Sequence, residues 1–219
     1  MKQFDFYTSD GVLLSGIANE PKEVTKRILC LHMMPAEKES YLGFMEKVEP
    51  LGWLCHAIDF RGHGSSTKQG DETLDYHDFS AEGHKKYMID ASESLSMLRE
   101  GKAVDAVIGA SIGANVALRL QEQESVPYAV LLSPGTDYHG VTTLDVAGKL
   151  TSNQAVYIVA TKEDERAAGN AEAMAKEIFE KLSTTKKKID IYGGSKHGTD
   201  ILDGYGERMD KIIEFLQGK

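Results

Sequence analysis

The chain has 219 residues, with 25 Lys plus Arg against 34 Asp plus Glu, a formal charge of −9. A surface of that sign repels phosphate backbones and anionic headgroups, which argues against nucleic-acid and membrane-surface binding. Apolar residues at 41% and charged residues at 27% are ordinary for a globular protein with a buried core and exclude a disordered one.

The length fits one domain over 1–219. No apolar run approaches the ~18 residues of a membrane-spanning helix, and residues 1–10 lack the apolar stretch of a secretory signal. The expected location is therefore the cytoplasm. There Cys30 and Cys55, each inside an apolar run, stay as free buried thiols.

In chain order, FDFYTS, then Asp10-Gly11, then VLLSGIA predicts a hairpin, because Asp-Gly supplies a positive-φ turn that matches strand twist. Short apolar runs predict strands at Arg27–His32, Cys55–Asp59, Ala103–Gly109, Tyr128–Ser133, Ala155–Ala160 and Lys188–Tyr192. Between them, apolar residues at spacings of three and four predict helices over Tyr41–Leu51, around Ile89 to Leu98, and over Ile112–Gln121, Ala167–Leu182 and Asp200–Leu216. Gln69–His84 and Pro134–Leu150 show no period and are expected to be irregular. Alternating strands and helices of this kind form an α/β fold with a parallel sheet.

The strand VDAVIG runs into GASIG, residues 109–113, and then into a helix. A Gly-x-Ser-x-Gly at a strand-to-helix turn is a nucleophile elbow, in which only small residues two before and two after avoid the strained serine. A serine alcohol needs a base oriented by a carboxylate. His197 supplies it, in the glycine-containing loop GGSKHG between the last strand and the last helix. Asp164, after AVYIVATKE, is the expected acid because it keeps the order Ser, Asp, His; Glu163 and Asp137 are the competing carboxylates. Donors for a developing oxyanion are expected at the backbone N–H of Ile112, after the nucleophile, and of Met34, with Met33 as the alternative. Loops at the carboxyl ends of the strands place Met33, Tyr76, Phe79, Tyr138 and His139 as pocket walls. No metal is expected, since no His pair sits at His-x3-His spacing and no Cys-x-x-Cys occurs, and neither common Gly-rich nucleotide motif is present.

The hairpin, the strand ending in His32, DFRGHGSS at 59–66, GASIG, the acid loop and GSKHG together resemble the α/β-hydrolase superfamily over essentially the whole chain. Within it, the likeness is to small lidless esterases of dienelactone-hydrolase-like and carboxylesterase-like type. That resemblance implies an α/β-hydrolase fold with a mostly parallel eight-stranded sheet, the hairpin plus six parallel strands, flanked by helices. It also makes the turn around Arg61 and His63 structural. Two departures stand out: Met33 where many members carry Gly, and only residues 134–154 where many relatives insert a lid. The implied activity is that of a cofactor-free serine hydrolase cleaving a small ester. A peptidase, thioesterase or acyltransferase with the same triad remains an alternative, as does a non-catalytic binding protein on this fold. The sequence leaves a homodimer open, with no exposed apolar stripe to single out an interface.

Overall fold

A computed structural model describes residues 1–203 and 206–219. Eight strands build its main sheet: β1 (Lys2–Tyr7), β2 (Val12–Ala18), β3 (Lys26–Leu31), β4 (Trp53–Ile58), β5 (Ala106–Ala110), β6 (Tyr128–Leu132), β7 (Ala155–Thr161) and β8 (Lys187–Tyr192). They lie in the order β1-β2-β4-β3-β5-β6-β7-β8, with β3 to β8 mutually parallel and β1 and β2 antiparallel. The expected eight-stranded sheet gains a small hairpin. Lys68–Gln69, paired with Glu72–Thr73, adds to β2 and brings the sheet to ten strands.

Successive residues of a strand face opposite sides, so a parallel sheet covered on both faces needs unbroken apolar runs. In β3, Leu29 and Leu31 enter one apolar layer with Tyr87, Leu95, Val116, Leu120 and Ile178, while Ile28 and Cys30 enter the other with Phe44, Val48, Ile212 and Leu216. The first layer belongs to helices α3 (Tyr87–Arg99), α4 (Ile112–Glu124) and α6 (Ala171–Lys181), numbered with the short α1 (Leu42–Val48), α2 (Ala81–Lys85) and α5 (Leu144–Ala147). The second belongs to α1 and the last helix, α7 (Gly206–Leu216). Each large side chain buried in this way stabilises the fold by about 1.5–3 kcal/mol. Both cysteines are free and buried.

Several boundaries differ from expectation, for local reasons. The helix expected from Ala167 starts at Ala171, because Gly169 adopts a φ of 131° and Asn170 caps the helix, accepting from the Ala173 N–H at 3.0 Å. Residues 165–170 instead form a tight hairpin, Glu165–Arg166 against Gly169–Asn170. The helix expected over Asp200–Leu216 is a 3-10 turn at Gly198–Ile201 followed by α7, and residues 204 and 205 of that span lie outside the described residues. The stretch 69–84 contains a 3-10 turn and α2, which Ser80 caps by accepting from the Gly83 N–H. Residues 134–154 hold only a two-residue hairpin and the four-residue α5, so no large lid covers the sheet edge. Among the described residues no helix is long and apolar enough to cross a membrane.

Candidate active site

Ser111 follows β5 and has φ 53° and ψ −121°, a strained conformation at the start of α4. Glycine is required on both sides of it. A Cβ on Gly109 would meet the backbone of Gly113, and one on Gly113 would meet the carbonyl oxygens of Leu31 and His32. The Ser111 carbonyl accepts from the N–H groups of Ala114 and Asn115, which locks the turn into the helix. Asn115 ties α4 to the next loop, donating to the Val141 carbonyl at 2.7 Å and accepting from the Gly135 N–H at 3.0 Å. That loop carries Tyr138 and His139.

His197 is buried and pinned on both flanks. The Lys196 carbonyl accepts from Thr161 Oγ1 at the end of β7 (2.7 Å), and the Gly198 N–H donates to Ser133 Oγ at the end of β6 (3.1 Å). Its Nδ1–H donates to Asp164 Oδ2 at 2.6 Å, which leaves Nε2 as the basic nitrogen. The other oxygen of Asp164, Oδ1, accepts from Arg166 Nε at 2.7 Å. Burial works against the Asp164 charge, but the His197 hydrogen bond and the Arg166 guanidinium outweigh it and hold the carboxyl below its usual range. Of the other carboxylates, Glu163 accepts from the Gly194 N–H and Asp137 from the Gly140 N–H; neither bonds His197.

A cavity of about 380 Å³ is lined by Met34, Ser111, Ile112, Asp137, Tyr138, His139, Arg166, Ala167, Ala168 and His197. It therefore brings together Ser111, His197, Ile112, Met34, Tyr138 and His139, with Asp164 behind the histidine. The Tyr138 hydroxyl donates to the Ser133 carbonyl at 3.5 Å, and its ring stands edge-on to His197, centroids 6.4 Å apart. Burial, then the Asp164 charge, push the phenol up to about 12, so it stays protonated. Met34 is held at the cavity wall with its sulfur 3.8 Å from the Tyr87 hydroxyl.

Three expected wall residues are elsewhere. Met33 is buried in the apolar layer with Ala110, its sulfur against Gly198, where a Cβ would collide with it. It adopts no positive φ, so the residue that replaces the family's Gly costs the backbone nothing here. Tyr76 stacks on His63, ring centroids 4.0 Å apart, and Phe79 lines a separate cavity with Arg61 and Gln69. Both are drawn in by the turn at Gly62 (φ 79°), where a Cβ would meet the Tyr76 backbone and the Phe79 ring.

The turn that displaces them is itself rigid. Arg61 is buried and ion-paired with Asp90 and Asp10, at 2.7 Å each. His32, fully buried, donates from Nδ1 to the Met33 carbonyl at 2.8 Å and accepts at Nε2 from the Phe60 N–H at 3.0 Å. Burial holds it neutral, its pKa lowered to about 4. This histidine thus fixes the loop that leads to Met34. Among the described residues one carboxylate group, Glu37, Glu39 and Asp59, is spaced to hold a metal ion, but the Lys38 ammonium already pairs with Asp59 at 2.6 Å and Glu39 at 3.2 Å. None of the three lines the Ser111 cavity.

Arg166, Ala167 and Ala168 also line the cavity, although the sequence puts Ala167 and Ala168 in a helix and gives Arg166 no role; the turn and cap pair Gly169-Asn170 is the signal that all three belong to a loop.

A family model described as alpha/beta hydrolase fold matches residues 26–187. No curated protein sequence is similar enough to count as a relative. Among solved structures, a Pyrococcus furiosus esterase aligns over 99% of this chain and 91% of its own, with a TM-score of 0.78 at 20% identity. A thermostable carboxyl esterase from Bacillus coagulans aligns over 99% and 98%, with a TM-score of 0.79 at 14% identity. A monoacylglycerol lipase from Paleococcus ferrophilus aligns over 93% and 98%, with a TM-score of 0.72 at 16% identity. At these identities the likeness carries the fold alone, while the family match spans most of the chain: the protein belongs to the alpha/beta hydrolase fold family.

Proposed function

We propose that this protein is a serine hydrolase that cleaves small carboxylic esters through an acyl-enzyme on Ser111. The observation that supports it most is the Asp164–His197 hydrogen bond of 2.6 Å, set beside a positive-φ serine on one cavity. The Ser111 hydroxyl turns to His197 Nε2, a contact that catalytic groups often complete only when substrate is bound. Nε2 takes the proton as the serine oxygen attacks the ester carbonyl. The Asp164 carboxylate holds the imidazole in the tautomer that leaves Nε2 free and stabilises the imidazolium.

The charge that develops on the carbonyl oxygen is met by the N–H of Ile112, at the N-terminus of α4 where the helix dipole assists, and by the N–H of Met34. Each such donor contributes about 3 kcal/mol to the transition state. Collapse expels the alcohol, protonated by His197, and a water activated by the same histidine releases the acid. The esterases and the lipase named above, structurally similar, make carboxylic ester hydrolysis the reading to test first. The cavity, walled by Met34, Ala167 and Ala168 and uncovered by any large lid, suits a small acyl group. No cofactor enters the chemistry.

Replacing Ser111 with Ala is expected to lower kcat for p-nitrophenyl acetate by about 10⁴-fold or more, with the thermal melt unchanged. Near-native turnover by Ser111→Ala would overturn the assignment.

A further inference from the structure

We infer that Arg166 is a positioning residue for the acid–base pair: its guanidinium occupies Asp164 Oδ1, fixing the carboxylate so that Oδ2 alone faces His197, and places a second cation on the carboxylate that an imidazolium would share. The inference rests on the hydrolase reading above and extends it to a residue outside the Ser-His-Asp set.

The geometry has two parts. The two carboxylate oxygens of Asp164 are divided between partners, Oδ1 to Arg166 Nε at 2.7 Å and Oδ2 to His197 Nδ1 at 2.6 Å. Rotation of the carboxylate would break both, so the guanidinium keeps the hydrogen bond that selects the His197 tautomer in line. The arginine is itself held. Its hairpin is tied at Asn170, whose Nδ2 donates to the Lys162 carbonyl at 2.9 Å and to Glu165 Oε1 at 2.7 Å, and whose Oδ1 caps α6. The Ala171 N–H donates to the Asp164 carbonyl at 2.9 Å, joining the acid to the same helix start. Glu165 is thus turned toward Asn170, leaving Asp164 as the carboxylate that Arg166 meets.

The second part is electrostatic. Asp164 is 1% exposed at its side chain and Arg166 is 45% exposed, so one end of the ion pair is dry and the other reaches solvent. Two cations, Arg166 and an imidazolium at His197, would share one buried carboxylate. Like charges disfavour each other, so loss of the arginine's charge favours the imidazolium relative to wild type. The other groups facing His197 do not replace it: Tyr138 is a neutral phenol, Ser111 a neutral alcohol, and His139 and Asp137 lie on the cavity wall.

The test compares wild type, Arg166→Gln and Arg166→Lys by the pH profile of kcat/KM for p-nitrophenyl acetate and by NMR titration of the His197 imidazole. The Gln variant keeps a donor for Oδ1 but loses the charge. Its acid limb and its His197 titration midpoint are expected to move up by about half a unit to one unit. Its kcat should fall about tenfold because a shorter, neutral donor holds the carboxylate less firmly than the charged guanidinium, with KM within about twofold of wild type. The Lys variant, with the charge kept, should leave the limb and the midpoint at their wild-type positions. An unmoved midpoint in Arg166→Gln, or a loss confined to KM, which would make the arginine a substrate contact, overturns the inference. Because the NMR titration needs no turnover, it still tests Arg166 if Ser111→Ala shows the hydrolase reading to be wrong.

Discussion

The two halves of the site are held in place by different physics. Around Ser111 the constraint is steric and lies in the backbone: a φ of 53°, and glycines at 109 and 113 because any Cβ there would run into main chain. Around Asp164 the constraint is electrostatic and lies in side chains. One carboxylate is shared by His197 and Arg166, just ahead of the hairpin at 165–170. A steric constraint fails completely when violated, since packed backbone has nowhere to move. An electrostatic one weakens by degrees, because solvent and neighbouring groups compensate.

Substitutions and acid should therefore separate the two regions. The largest effect is expected for Gly113→Ala, whose methyl would collide with the carbonyl oxygens of Leu31 and His32. It should cost about 4 kcal/mol or more of stability, read by urea unfolding; a loss below about 1 kcal/mol would show that the elbow can relax. Asp164→Asn should leave stability nearly unchanged and lower kcat on the order of 10³-fold, because the amide N–H₂ opposite Nδ1 selects the tautomer with its proton on Nε2. Steady-state kinetics at pH 7.5 would contradict the account if kcat fell less than about tenfold.

The smaller effect is that of acid. His32 and His63 are buried and neutral, with pKa values lowered by burial to about 4 and about 3 from 6.5. The unfolded chain therefore binds more protons between those limits, and stability falls as pH drops from about 6.5 toward 4. His32 alone accounts for roughly 3 kcal/mol at the low end. Asp164, its pKa lowered, stays ionised over most of that window. Acid should thus loosen the His32 side, next to the elbow, before it discharges the Asp164 carboxylate. Urea unfolding from pH 7 to 4 checks this, and a flat or rising stability on acidification would contradict it.

The same contrast explains what could be read from the sequence. The elbow is legible because sterics leave few alternatives: glycines flanking a serine after the apolar run of β5. The six parallel strands are legible because burial on both faces demands continuous apolar runs. Chain position alone puts Met33, Tyr76 and Phe79 on the pocket wall. Their side chains went instead to the space that Gly198 and Gly62 leave open, a complementarity between residues far apart in sequence. Arg166 is not legible in the sequence because an arginine beside an expected helix reads as a solvated charge, and only the turn at Gly169-Asn170 brings its Nε back to Asp164.

Everything proposed for the site turns on Ser111 as the nucleophile. Intact-mass spectrometry of the native protein and of Ser111→Ala after exposure to a fluorophosphonate probe tests it most directly. The account predicts a single adduct on the native chain, mapped to Ser111 and formed in step with the loss of p-nitrophenyl acetate hydrolysis, and none on the Ala variant. An adduct of equal yield on Ser111→Ala, or full labelling of the native protein with hydrolysis retained, would contradict it.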